Sequence, residues 1–207
     1  MTNTHKKIFA IALFLIALWR LTVFLFSSDV APESNHLGTA LGEVAAEEAV
    51  SQLQSERAWL LLVHEEAGPT IRSAVRAFES TARASGISDI RTLKLSDADA
   101  HEENGLTPDF TRSLLDAADP AAVWVSFGFF PPPRSSMHSE TRSDAGNGSF
   151  PKVIVVLPNM THAEAYLQSG EVHFIISPAF TAPEPEPTLR DPARKWFDSY
   201  FRIQTPE

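Results

Sequence analysis

From Leu41 onward the apolar residues change period several times. "LGTALGEVAAEEAVSQLQSER" places Leu41, Val44, Ala45, Val50 and Leu53 near helical spacing. "AWLLLVHEE" is a short unbroken apolar run, as expected of a strand buried on both faces. Gly68-Pro69 then restarts a helix, and Ile71, Val75, Phe78 and Ala82 share one of its faces until Gly86. "IRTLKLS" alternates like a strand, and "TPDFTRSLLDAAD" reads as a helix with Thr107 as N-cap and Pro108 at its first position. "AAVWVSFGF" and "KVIVVLPN" are two more buried strands. "THAEAYLQSG" is a short helix stopped by Gly170, and "EVHFIISPAF" is the last predicted strand. Helix and strand alternate from Leu41 to Phe180. The pattern predicts an α/β fold: one Rossmann-like lobe with a mostly parallel sheet of about five strands and helices on both faces.

Three stretches fall outside that alternation. Pro131 to Pro151 is rich in proline, serine and glycine and is expected to be a long exposed loop. Residues 183–207 read as a proline-rich tail with a short amphipathic end carrying Trp196, Phe197, Tyr200 and Phe201. The N-terminus has Lys6 and Lys7 ahead of Ile8–Phe26, which is almost wholly apolar and as a helix would span about 28 Å, close to a hydrocarbon core. Asp29 and Glu33 follow it, so the positive-inside rule puts the N-terminus in the cytoplasm and the remaining chain outside, periplasmic if the cell is Gram-negative. Arg20 is costly deep in lipid unless it snorkels to an interface. A cleaved signal peptide with Ile8–Leu18 as its apolar region is the rival reading, although "FSSDVAPES" offers no good cleavage site. The expected division is an anchor or signal segment at 1–28, a linker at 29–36, an α/β lobe at 37–182 and the tail at 183–207.

Composition narrows the function. The formal net charge of −9 argues against a general nucleic-acid surface. The absence of cysteine removes disulfides, thiolate metal sites, a cysteine nucleophile and a lipid-modified N-terminal cysteine. His64-Glu65-Glu66 falls at the end of the first strand, at the edge where α/β sheets hold ligands. Neither it nor His101-Glu102-Glu103 has a second histidine at zinc-protease spacing, so no metal is expected. His173 reads as a satisfied strand residue. Asn147-Gly-Ser and Asn159-Met-Thr are triplets of glycosylation type, meaningful only in a host that glycosylates. There is no phosphate-binding glycine loop and no Gly-x-Ser-x-Gly elbow. No catalytic residue or cofactor is assigned, and the chain is not expected to be an enzyme. Arg72 and Arg76 follow the first strand; an arginine fork suits vicinal hydroxyls or a carboxylate. The alternative for both is a solvated helix face paired with Glu79.

In order and spacing, these segments resemble the C-terminal lobe of the type 1 periplasmic sugar-binding proteins, which lactose-repressor-type regulators share. "LGTALGEVAAEEAVSQL" resembles the segment entering that lobe from the hinge, and "RAWLLLVHEEAGPTIRSAVRAFESTARASGI" its first strand and helix. "SLLDAADPAAVWVSF" and "KVIVVLPNMTHAEAYLQSGEVHFIISPAF" resemble its later helix-to-strand steps. The resemblance covers roughly residues 36–180 and implies a substrate-binding domain for a sugar or other small polar ligand. By position it carries ligand-binding roles onto Arg72, Arg76, Gly128 and Asn159. Gly128-Phe129 replaces an Asn-Asp pair frequent in the family, Asn159 replaces an aspartate, and Ser177-Pro178 stands where a glutamine is frequent. Only one lobe's length is present, so ligand binding would need a second lobe, a partner protein or a homo-oligomer. The other expectation is an interaction or structural protein whose lobe has lost its ligand. Phe127, Phe129 and Phe130 would then form the interface, unless the proline loop or the tail folds back over them.

Overall fold

The computed structural model describes residues 32–53, 56, 58–101, 105–116, 121–132, 150–157, 163–179 and 186–206. The apolar stretch 8–26 lies outside them. Among the described residues no helix is long and apolar enough to cross a membrane.

The chain from Glu33 onward is one compact unit. In order its elements are α1 (Pro32–Leu53), β1 (Ala58–His64), α2 (Pro69–Ala84), β2 (Asp89–Leu95), β3 (Ala100–His101), β4 (Gly105–Leu106), α3 (Pro108–Leu115), β5 (Val123–Phe127), β6 (Lys152–Val156), α4 (Ala163–Gln168), β7 (Phe174–Pro178), α5 (Ala193–Tyr200) and β8 (Phe201–Gln204). The main sheet has six strands in the order β2-β1-β5-β6-β7-β8. Pairings from β2 through β7 are parallel, and β8 is antiparallel to β7, Ser177 lying opposite Arg202. The small strands β3 and β4 form a separate antiparallel pair.

The period-2 geometry of the strands explains why they read as unbroken apolar runs. Trp59, Leu61 and Val63 point to one face with Val125, Phe127, Ile154 and Phe174, where α1, α2 and α5 cover them. Leu62, Trp124, Val153, Val155 and Ile175 point to the other, under α3 and α4. Both faces are therefore covered by helices, as the alternation requires. The expected helix ends are also present: Pro69 opens α2 behind Gly68, the Thr107 hydroxyl accepts from the Phe110 N–H at 3.3 Å, and Gly170 follows α4 at φ +68°.

Four expectations change. The helix α1 begins at Pro32, inside the stretch read as a linker, with proline at the helix start where its missing N–H costs nothing. Gly38 and Thr39, expected at a hinge, lie within that helix. A Cβ on Gly38 would come 2.3 Å from the Thr70 carbonyl oxygen, and one on Gly42 2.0 Å from that of Ala74. The glycines thus let α1 and α2 touch backbone to backbone. The sheet gains a sixth strand because the tail is part of the lobe: Trp196, Phe197 and Phe201 are buried, and β8 pairs along β7. Finally, Pro131, Pro132 and Pro151 are buried, so both ends of the expected exposed loop are packed; residues 133–149 lie outside the described set.

Candidate functional site at the carboxyl edge of the sheet

The strand order reverses between β1 and β5, since β2 lies on one side of β1 and β5 to β7 on the other. The chain leaves β1 for α2 on the first face. It leaves β5 through Gly128 toward Phe130, which packs on the second. Such a divergence opens a crevice beyond the carboxyl ends of the strands. His64, Glu65, Glu66, the start of α2, Gly128 and Phe129 stand at it.

Several of these groups hold one another. The His64 Nδ1 accepts from the Glu66 N–H at 3.2 Å, which leaves Nε2 to donate to Asp97 Oδ1 at 2.8 Å. Both ring nitrogens are used, so His64 has no lone pair free for a metal or for general-base work. No group of histidines and carboxylates suited to a metal occurs among the described residues. Because the Asp97 side chain is 96% exposed, this pair positions the ring more than it stabilises the fold. Phe129 is half-buried with its ring 6.0 Å from that of His64.

The first turn of α2 has no acidic residue and, among the described residues, no capping side chain, so its first amides are not bonded by a side-chain cap. Arg72 and Arg76 are exposed on this helix. The Arg72 Nη1 donates to the Ala67 carbonyl at 2.5 Å, and the Arg76 Nε donates to the Arg72 carbonyl at 3.2 Å. Glu79, the partner expected for the solvated reading, pairs instead with Arg83 at 3.5 Å and accepts from the Thr92 hydroxyl. The edge thus presents donors suited to an anion or to hydroxyl oxygens, flanked by the carboxylates of Glu65 and Glu66.

Gly128 adopts φ +104°, a backbone that side chains resist, and among the described residues other than its chain neighbours none lies within 4 Å of where its Cβ would stand. The glycine leaves open space beside the crevice while its N–H donates to Val156 at 2.8 Å. Asn159 lies outside the described residues, as do Asn147, Glu102 and Glu103. The three phenylalanines do not form a joint patch. Phe127 meets the edge of Phe78 in the first core, and Phe130 stacks on Tyr166 with centroids 4.4 Å apart. Intramolecular cover therefore accounts for two of them, supplied by α2 and α4. His173 donates its N–H to the Val153 carbonyl at 2.7 Å, as a strand residue would.

Two features were not found from sequence. Leu157, at the end of β6, is the one non-glycine at positive φ among the described residues (+53°), a strained position on the carboxyl edge. Ser126 is buried on β5 with no hydrogen-bond partner for its hydroxyl among the described residues. Neither leaves a signal in residue type or spacing, since serine and leucine are ordinary in a buried strand.

No protein-family model matches the chain, and no curated protein matches it. Solved structures do. A solute-binding protein of an ABC transporter from Burkholderia graminis, in complex with D-arabinose, superposes with a TM-score of 0.53 at 9% identity over 81% of this chain and 59% of its own. A glucose-galactose binding protein from Geobacillus stearothermophilus matches at 0.47 and 10% identity over 68% of this chain and 47% of its own. A LacI-type transcriptional regulator from Bacteroides fragilis, described as putative in its name, matches at 0.47 and 14% over 78% and 50%. The chain spans about half the length of the solved proteins it matches. With its parallel sheet, covered on both faces and reversing order between β1 and β5, the chain has a type 1 periplasmic-binding-protein-like fold.

Proposed function

We propose that the protein is a membrane-anchored, extracytoplasmic solute-binding-like lobe that holds a sugar or another small polar ligand at its carboxyl-edge crevice, completed by a second lobe or a partner. The observation that carries this reading is the reversal of strand order between β1 and β5, with Gly68 at the start of α2 and Gly128 after β5 both leaving room at the carboxyl edge. That place corresponds to the general ligand edge of doubly wound sheets. The fold relative with D-arabinose supports the ligand class. Anchoring rests on Lys6 and Lys7 before the apolar residues 8–26 and acidic residues after them.

A second reading has its own support. Phe129 stands against His64 at the mouth of the crevice, and the Arg72 guanidinium is folded onto its own loop. A lobe whose site is filled by its own side chains serves instead as an interaction surface. A thermal-shift panel of neutral sugars, sugar acids and small polyols on the full chain separates the two. Ligand binding to the folded form raises the melting temperature in proportion to RT ln(1 + [L]/Kd). The solute-binding reading expects a concentration-dependent rise with at least one compound class, reduced by Arg76→Ala. A panel with no rise removes that reading and leaves the interaction surface.

A further inference from the structure

At the same edge, away from the crevice, α1 and α5 enclose a cleft of about 360 Å³. Its walls are Leu37 of α1, the run Glu186–Leu189, and Trp196 and Tyr200 of α5. Three rings stand in a row beside it: His36 stacks on Trp196 with centroids 6.2 Å apart, and Trp196 on Tyr200 at 6.0 Å.

Most polar groups of the wall bond to one another. The Trp196 Nε1–H donates to the Thr188 carbonyl at 3.0 Å. The Thr188 N–H and hydroxyl both donate to Asp191 Oδ2, at 2.7 and 3.0 Å. These donors are spent within the wall. Glu186 adds a carboxylate that has no hydrogen bond or ion pair among the described residues. No lysine or arginine of the described residues lines the cleft. The nearby cations on α5 are already paired, Arg194 with Asp198 at 3.1 Å and Lys195 with Asp191 at 2.9 Å. Leu189, 51% exposed, and Pro187 give the wall an apolar rim.

A carboxylate without a partner among the described residues, aromatic rings and a lining without lysine or arginine, on a chain of net charge −9, complement a positive ligand that carries its own donors. The geometry points to a binding site for a small organic ammonium, a primary amine on a short apolar body, held by Glu186 with its carbon chain against Leu37 and Tyr200. This site is independent of the crevice at Gly128 and of any sugar binding there.

The test uses the full chain labelled with ¹⁵N at tryptophan, with the Trp196 indole signal identified by its loss in Trp196→Phe. The probes are n-butylammonium chloride, its neutral analogue n-butanol and its anionic analogue sodium butyrate. Butylammonium is expected to move the Trp196 signal saturably, butanol more weakly, and butyrate not at all. Glu186→Gln should weaken butylammonium by roughly twofold to fivefold, the scale of a solvent-exposed cation contact. Equal saturation by butanol, an unchanged affinity in Glu186→Gln, or no saturation by butylammonium overturns the proposal.

Discussion

His173 shows how one residue's surroundings set a measurable property. Burial holds its pKa below the ordinary value of 6.5, and the charge of Lys152 lowers it further. The folded protein therefore binds fewer protons there than the unfolded chain, so the stability contribution is complete above pH 6.5 and is lost as pH falls through the lower folded-state value. Asp99, whose carboxyl is held low by the Ser96 hydroxyl and N–H, acts in the same direction but only near and below the ordinary 3.8. Between pH 7.5 and 5 the two are separable. Urea midpoints across this window should fall more in the native chain than in His173→Gln; parallel curves would show that the imidazole is solvated. Alternation with Val172 and Phe174 led His173 to be read as a strand residue; it stands one residue before β7 and bonds to the Val153 carbonyl. Such alternation did not reveal that Phe127 and Phe130 turn to opposite cores, because that depends on the glycine-led bend after β5, which no local pattern encodes.

Among the elements, α1 against α2 carries the sharpest packing test. Gly42→Ala would put a Cβ 2.0 Å from a backbone oxygen that cannot swing aside, so the helices must part. A loss of about 1–3 kcal/mol is expected from such overpacking, read as a lower urea midpoint at unchanged slope. An unchanged midpoint would mean that the two helices are not in backbone contact. The five parallel strands and most helix ends were legible because their signals are local: contiguous apolar runs, Gly-Pro before α2, Thr-Pro before α3, glycine after α4; the two-residue strands β3 and β4 are too short to leave one. The start of α1 was not, since Pro32 in a polar stretch reads as easily as a linker as it does as a helix start. Nor was β8. "FRIQ" is too short to show alternation, follows a proline-rich stretch, and becomes a strand only through the edge that β7 offers. Gly38 and Gly42 stood in the stretch read as a helix and likened to the hinge entry, but spacing alone does not show that they permit close approach.

For the molecule as a whole, the order of segments was enough to resemble one lobe of the type 1 binding proteins, and the structure has that fold. The resemblance read from the sequence implied changed ligand positions at Gly128-Phe129, Asn159 and Ser177-Pro178. Function therefore turns on whether the edge still grips a solute. The most direct measurement is an amide titration of the ¹⁵N-labelled full chain with the compound giving the largest thermal shift. A solute-binding lobe predicts saturable shifts grouped at Glu66, Thr70, Ile71 and Gly128, around the start of α2 and the end of β5. Shifts confined to other parts of the fold, or none that saturate, would contradict it.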